Sequence, residues 1–133
     1  MKKLFLLIFL VIALILLVVF QKHVPSQGNE YQSAEQCKMC HAEKHKKWET
    51  TRMAKAFDLL VAAGQENNKE CYPCHTTGYG KGGFTDPQAT PNLKGVQCEA
   101  CHGAGGNHMG DPKGIIKTPP ASVCAECHKN SLH

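Results

Sequence analysis

The sequence has few of the side chains that build an ordinary hydrophobic core. The chain of 133 residues has a single tryptophan, and aromatic residues make up only 7% of it. Most of the long apolar residues beyond residue 33 are Trp48, Phe57, Leu59, Leu60, Val61, Phe84, Leu93, Val96, Ile115, Ile116, Val123 and Leu132. A domain of about one hundred residues needs more buried apolar surface than these residues supply. The composition therefore excludes a conventional core and indicates that another component fills the interior.

Two further absences narrow the class of protein. Residues 30–133 carry 12 Lys and Arg against 11 Asp and Glu, so this part has no basic excess for binding nucleic acid. No segment shows the alternation of apolar and polar residues that predicts a strand. The stretch 76–93 is rich in Gly, Thr and Pro, which predicts a loop. These features indicate a protein of helices and irregular segments that does not act on nucleic acid.

No cysteine lies outside four copies of one pattern. The eight cysteines occur in Cys37-Lys-Met-Cys40-His41, Cys71-Tyr-Pro-Cys74-His75, Cys98-Glu-Ala-Cys101-His102 and Cys124-Ala-Glu-Cys127-His128. C-x-x-C-H is the attachment pattern of c-type haem, because two thiols add to the porphyrin vinyl groups and the next histidine binds the iron. Four copies predict four c-type haems, with all eight cysteines as attachment points and His41, His75, His102 and His128 as proximal iron ligands.

Zinc ribbons and disulfide frameworks also use paired cysteines, but neither requires a histidine after every pair. Four porphyrins packed against one another would supply the missing apolar surface. The predicted fold class is therefore mainly α with extensive irregular loops, a small multihaem cytochrome c domain organised around stacked haems, preceded by one N-terminal transmembrane helix.

The N-terminus predicts export. Lys2 and Lys3 precede an apolar run over residues 4–20, which as a helix would reach about 25 Å. The run is longer than a secretory h-region of about 7–15 residues, which favours an uncleaved anchor over a signal peptide cleaved after Ser26. The expected organisation is an anchor or signal peptide at 1–22, a linker at 23–33 and a tetrahaem domain at 34–133. The lysines stay in the cytoplasm, so this domain lies on the periplasmic or extracellular side of a bacterial or archaeal inner membrane.

Local signals predict three helical features. Helix formers dominate residues 42–63, and Gly64 predicts the end of that helix. Ser33 and Gln36 form a capping-box pattern that predicts a turn into the first motif. Pro119 and Pro120 precede a short predicted helix at 122–128.

Three longer blocks resemble a known family. These are CHAEKHKKWETTRMAKAF at 40–57, CYPCHTTGYGKGGF at 71–84 and CEACHGAGGNH at 98–108. They are similar to hallmarks of the cytochrome c-554 family of multihaem cytochromes, and the resemblance covers nearly all of the exported part. The resemblance implies electron transfer between redox enzymes, with haems in close contact. Related multihaem proteins include reductases of nitrogen and sulfur oxyanions.

The sixth ligand of each iron decides between a relay and an enzyme, because only an open iron binds a small substrate. The resemblance places His108 as the distal ligand of a neighbouring haem. Met53 stands where the family often has histidine, and thioether ligation would raise the potential of that haem. On an unbroken helix it would lie about 18 Å from His41, which excludes the haem held by that histidine. The further candidates are His45, for which packing or a propionate contact is the alternative, and His133.

The sequence therefore predicts a membrane-anchored tetrahaem electron carrier between membrane oxidoreductases and periplasmic or extracellular acceptors. Its expected partners are redox proteins, the membrane and, in a conduit or larger complex, further subunits or copies of itself. The alternative is a small haem reductase with one five-coordinate haem. Little else supports catalysis, because Asp86, Glu99 and Asp111 belong to no paired acid–base motif and are expected at the surface.

Overall fold

The computed structural model describes residues 30–106, 108, 110–111 and 115–129, together with Ile12. Its helices are α1 (Ala34–Glu49), α2 (Ala56–Ala62), α3 (Tyr72–His75), α4 (Cys98–His102) and α5 (Ala121–Ala125), with a 3-10 turn at Pro91–Leu93. Within these residues the strand-like pairing is an isolated bridge between Thr76 and Lys94. The fold is mainly helical with long irregular segments, as the sequence predicts.

The continuous helix predicted over 42–63 is wrong, because the chain leaves α1 at Glu49 and re-enters a helix at Ala56. The Thr50 and Thr51 hydroxyls donate to the carbonyls of Lys47 and Trp48 at 2.8 and 2.7 Å. Threonine side chains that bond the backbone locally compete with helix propagation. A second irregularity lies inside α1, where His41 has φ −118° and ψ 40° and kinks the helix.

The predicted stop at Gly64 is confirmed. Gly64 has φ +64°, a conformation that glycine adopts without the steric cost of a Cβ. The Gln65 amide then donates to the Leu60 carbonyl at 2.8 Å, which satisfies a carbonyl at the end of α2.

The capping box predicted at Ser33 is wrong, because the Ser33 side chain makes no capping hydrogen bond and its φ is +84°. A distant side chain takes over this role. The Ala34 amide donates to Oε1 of Gln97 at 2.6 Å, so the residue just before the third motif caps the start of α1. This contact joins residues that are 63 positions apart.

The protein core is small and lies around the second motif. It consists of Phe57, Leu60, Tyr72, Phe84 and Leu93, with Tyr31, Cys71 and Tyr79 packed against it. Other long apolar side chains stay at the surface, including Leu59, Val61 and Ile116. The thin core expected from composition is confirmed among the described residues.

The loop between the second and third motifs is ordered by its own hydrogen bonds. Oδ1 of Asp86 accepts from the amides of Gln88 and Ala89 at 2.9 and 2.8 Å. The Thr90 hydroxyl accepts from the Thr85 amide at 2.8 Å. These bonds form an Asx-type turn, so a segment without regular secondary structure still has a defined path.

In the part of the chain that is described, no helix has both the length and the apolar character needed to cross a bilayer. The run 4–20, on which the transmembrane prediction rests, lies outside the described residues except for Ile12.

Candidate haem sites

Each C-x-x-C-H motif lies on a helical turn. The second and third motifs are contained in α3 and α4, extended by Cys71 in the second case, and the first lies within α1. The fourth motif continues past α5, where the His128 amide donates to the Cys124 carbonyl at 2.9 Å. Residues at i, i+3 and i+4 share one face of a helix. On a regular helical turn, two thiols and one imidazole at this spacing share one side, as attachment of one porphyrin requires.

The imidazoles of the second and third motifs are oriented by backbone carbonyls. Nδ1 of His75 lies 2.6 Å from the Ala56 carbonyl oxygen, and Nδ1 of His102 lies 2.6 Å from the Ile116 carbonyl oxygen. A carbonyl can only accept, so Nδ1 carries the proton in both contacts. The lone pair is then on Nε2, the usual arrangement of a histidine that binds a metal. These residues fit the role of proximal haem ligands.

The third-motif contact is reciprocal, because the Ile116 amide also donates to the His102 carbonyl at 2.9 Å. This pair of bonds connects the third motif to the segment that leads into the fourth.

The histidine of the first motif faces a second imidazole. The rings of His41 and His108 are nearly parallel, with centres 6.4 Å apart and planes 10° apart. Nδ1 of His108 bonds the Asp111 carbonyl, which leaves the lone pair on Nε2. The two imidazoles are near neighbours, and both would hold the iron of a haem attached at the first motif.

The cysteine thiols bring the motifs together. The Cys37 thiol donates to the Ser33 carbonyl at 3.6 Å and lies close to the Cys98 thiol of the third motif. The interaction between the two thiols is the main reason that the pKa of Cys98 falls to about 6 while that of Cys37 rises. Burial chiefly, and then the charge of Cys124, raise the pKa of the Cys101 thiol. The third motif therefore lies beside both the first and the fourth.

The second and fourth motifs also meet. Cys74 and Cys127 are joined as a disulfide, with Cα atoms 5.4 Å apart. A cysteine cannot form a disulfide and a thioether to haem at the same time. Haem attachment at these two motifs therefore requires both thiols to be reduced first.

Glu99 was expected at the surface, and this prediction is wrong. Glu99 is only 2% exposed, and its carboxylate accepts hydrogen bonds from the amides of Gln32, Ser33 and Gly105. A buried carboxylate is tolerated when charge-assisted hydrogen bonds replace its hydration. The glycine-rich stretch that follows the third motif signals close backbone approach, but nothing local points to residues 32 and 33.

The other predicted ligands lie elsewhere. Met53 is in the turn between α1 and α2 with its residue surface 47% exposed, so the distance of 18 Å along one helix does not apply. His45 is buried, with Nε2 at 3.4 Å from Glu35 and Nδ1 at 3.5 Å from Glu49. Glu35, His45 and Glu49 each offer one ligand atom, and these atoms lie within 4.8 Å of one another. His133 lies outside the described residues.

Comparison with known proteins agrees with the motif pattern. Residues 36–103, about half of the chain, match the family model described as cytochrome c554 and c-prime. The chain is 34% identical to cytochrome c-554 of Nitrosomonas europaea over 75% of its own length. It spans 58% of the length of that relative. No solved structure gives a significant match. The motifs, the oriented imidazoles and the matched region together show that the chain is a c-type cytochrome and belongs to the cytochrome c554 and c-prime family.

Proposed function

We propose that this chain is a tetrahaem electron-transfer cytochrome that passes single electrons between redox proteins. The eight motif cysteines would each form one thioether to haem, and His41, His75, His102 and His128 would each bind one iron. Haem supplies one-electron chemistry between the ferric and ferrous states of its iron. The chain's own contribution is to fix the position, the ligands and the exposure of each group.

The observation that carries the proposal is the contact between motifs distant in sequence. The first motif touches the third through Cys37 and Cys98, and the second touches the fourth through Cys74 and Cys127. Cofactors attached at touching cysteines are close neighbours, which is what rapid electron passage between them requires. A structural zinc or disulfide protein would not also need four histidines at the same relative position.

The imidazole contacts support an electron carrier whose iron ligands are fixed in orientation by the protein backbone. His75 and His102 donate to carbonyls in α2 and in the segment before α5, so each imidazole is tied to a different part of the fold. Preorganised ligands reduce the structural change between oxidation states, which favours electron transfer.

The location and partners follow from the sequence. We propose that residues 1–22 act as an anchor or a signal peptide and that the haem domain works outside the cytoplasmic membrane. Membrane oxidoreductases would be its donors, and periplasmic or extracellular proteins its acceptors. Lys44, Lys46 and Lys47 on the second half of α1 would form a docking surface for an acidic partner, an interaction that weakens as salt is added.

The deciding experiment is spectroscopy on the purified holoprotein. Mass spectrometry should show four covalently bound haems, and ferric EPR with carbon monoxide added to the reduced form should show low-spin haems that do not bind it. Fewer than four haems would refute the tetrahaem proposal. One high-spin haem that binds carbon monoxide would instead favour the small haem reductase.

Peptide mapping distinguishes haem attachment at the second and fourth motifs from a disulfide between them. In the working cytochrome, Cys74 and Cys127 should be recovered on haem-bearing peptides after digestion without reductant. Recovery of a cross-linked peptide containing both cysteines would show that neither of them holds haem and would refute attachment through all eight cysteines.

A further inference from the structure

The third motif contains a carboxylate that binds backbone from two other regions. Oε1 of Glu99 accepts from the Gln32 amide at 2.9 Å and from the Gly105 amide at 2.5 Å. Oε2 accepts from the Gln32 and Ser33 amides, both at 2.9 Å. Three amides therefore converge on one side chain that has almost no contact with water.

Each backbone segment that Glu99 binds leads to one member of the His41–His108 pair. Gln32 and Ser33 precede α1, which carries His41, while Gly105 begins the turn that carries His108. The His108 amide donates to the Gly105 carbonyl at 2.6 Å, so this turn starts at a residue that Glu99 holds. The two segments also contact each other directly, because the Gly106 amide donates to the Glu30 carbonyl at 2.8 Å.

The backbone around Glu99 adopts a conformation that depends on these hydrogen bonds. Ser33 has φ +84°, and among the described residues it is the non-glycine residue with positive φ. Such a conformation persists only where surrounding contacts impose it. On the other side, a Cβ added at Gly105 would lie 2.9 Å from Oε1 of Glu99. The contacts therefore depend on the close approach of both segments to one carboxylate.

We propose that Glu99 is a positioning residue for the His41–His108 pair. It sets the spacing of the two imidazoles by joining the approach to α1 to the turn after the third motif. The residue itself bonds neither imidazole and acts only through backbone. This inference rests on the proposed function, because it assigns a role in ligating the haem of the first motif.

Glutamine at position 99 is the sharpest test. Glu99→Gln keeps the volume and one acceptor oxygen, but its amide group presents hydrogens to backbone donors. The turn should then withdraw and His108 should leave the iron. We expect one haem in four, about a quarter of the ferric signal, to become high-spin and to bind carbon monoxide when reduced. The spectrum should match that of His108→Ala, and added imidazole should restore the low-spin signal.

Glu126→Gln is the matched control. Glu126 also lies between the cysteines of a C-x-x-C-H motif, but its side chain is 60% exposed and pairs with Lys81 at 3.4 Å. This variant should retain four low-spin haems and the wild-type response to carbon monoxide. A merely general effect of losing a carboxylate inside a motif would appear in both variants.

A second variant covers the case in which Glu99→Gln does not mature. Gly105→Ala leaves the carboxylate and the approach to α1 intact but displaces the turn that carries His108. It should show the same single high-spin haem. Wild-type spectra in either matured variant would overturn the inference. If wild type itself lacks four haems or the low-spin signal, the proposed function fails instead, so the two failures are distinguishable.

Discussion

The second and fourth motifs share one pattern but stand in opposite environments. In the second, the residue after the first cysteine is Tyr72, which is 1% exposed and packs edge-on against Phe84 with ring centres 5.1 Å apart. In the fourth, the same position is Ala125, which is exposed, and no residue of α5 is buried. The second motif is thus built into the protein core, whereas the fourth depends on what its cysteines bind. The pattern defines the chemistry, and the residues between the cysteines determine how the motif is supported.

Replacement of Tyr72 by alanine should give the largest effect. Tyr72→Ala removes a buried ring at the centre of the core and should lower the free energy of unfolding by about 3–5 kcal/mol. Denaturant unfolding of the holoprotein measures this change. Glu126→Ala in the fourth motif is the control and should stay within about 0.5 kcal/mol of wild type. Equal losses in the two variants would contradict the difference between the motifs.

Removal of both cysteines of the fourth motif should unfold the segment around that motif and leave the core folded. With Cys124→Ala and Cys127→Ala, amides of 121–128 should exchange with solvent at nearly unprotected rates, because few other contacts hold this segment. Amides of 56–62 and 72–77 should retain their protection. Hydrogen exchange read by mass spectrometry would reveal the pattern, and loss of protection throughout the core would show that the two regions fold as one unit.

Removal of the Tyr72 hydroxyl alone should give a smaller loss. The hydroxyl donates to the Glu66 carbonyl at 2.8 Å, and Tyr72→Phe should cost about 1 kcal/mol. Burial above all raises the pKa of Tyr72, so the folded state retains this proton at pH values where the unfolded state loses it. Its contribution is complete below about pH 10 and declines as the pH rises through the folded pKa. Alkaline unfolding should therefore be less steep in Tyr72→Phe, and an unchanged pH profile would exclude this group as the cause.

The smallest effects on stability should come from two surface contacts, the Asp86 turn and the Lys81–Glu126 pair. The amides of Ala89 and Gln88 lower the pKa of Asp86, so its turn is stabilised above the unfolded pKa of about 3.9 and weakens as the pH falls through the folded value. Carboxyl NMR of the reduced protein would follow this titration.

Salt near 1 M, with a screening length of about 3 Å, should loosen the Lys81–Glu126 pair beside the fourth motif more than the Asp86 turn. Equal sensitivity to salt would indicate that both contacts are simple surface charge pairs.

The chemistry of the site could be predicted from the sequence better than its geometry. The four motifs predict all eight cysteines as attachment points and four histidines as proximal ligands, because thiol addition and iron ligation require those residues at that spacing. The importance of His108 is supported by its position beside His41. Met53, His45 and His133 stay predictions as ligands, since side-chain type alone does not show which iron a residue reaches.

The errors share a physical cause. The prediction of one helix over 42–63 failed because the hydroxyls of two adjacent threonines, Thr50 and Thr51, bond carbonyls of the preceding turn. The capping box at Ser33 and the surface position of Glu99 failed because partners more than sixty residues away bind those groups. Local periodicity carries no information about such contacts. Gly64 was predicted correctly because its conformational requirement is local.

The long separation between Glu99 and the residues it binds has a consequence for biogenesis. In the N-terminus-first export that we propose, Cys37 and Cys40 would emerge well before Glu99, which lies 67 residues beyond Gln32. During that interval nothing from the third motif restrains the first, and its thiols are open to the attachment machinery. We expect a chain truncated after residue 96 to acquire haem at the first motif, although it lacks the carboxylate that later fixes the surrounding backbone. Attachment and final folding would then be ordered in time by the order of the residues in the chain.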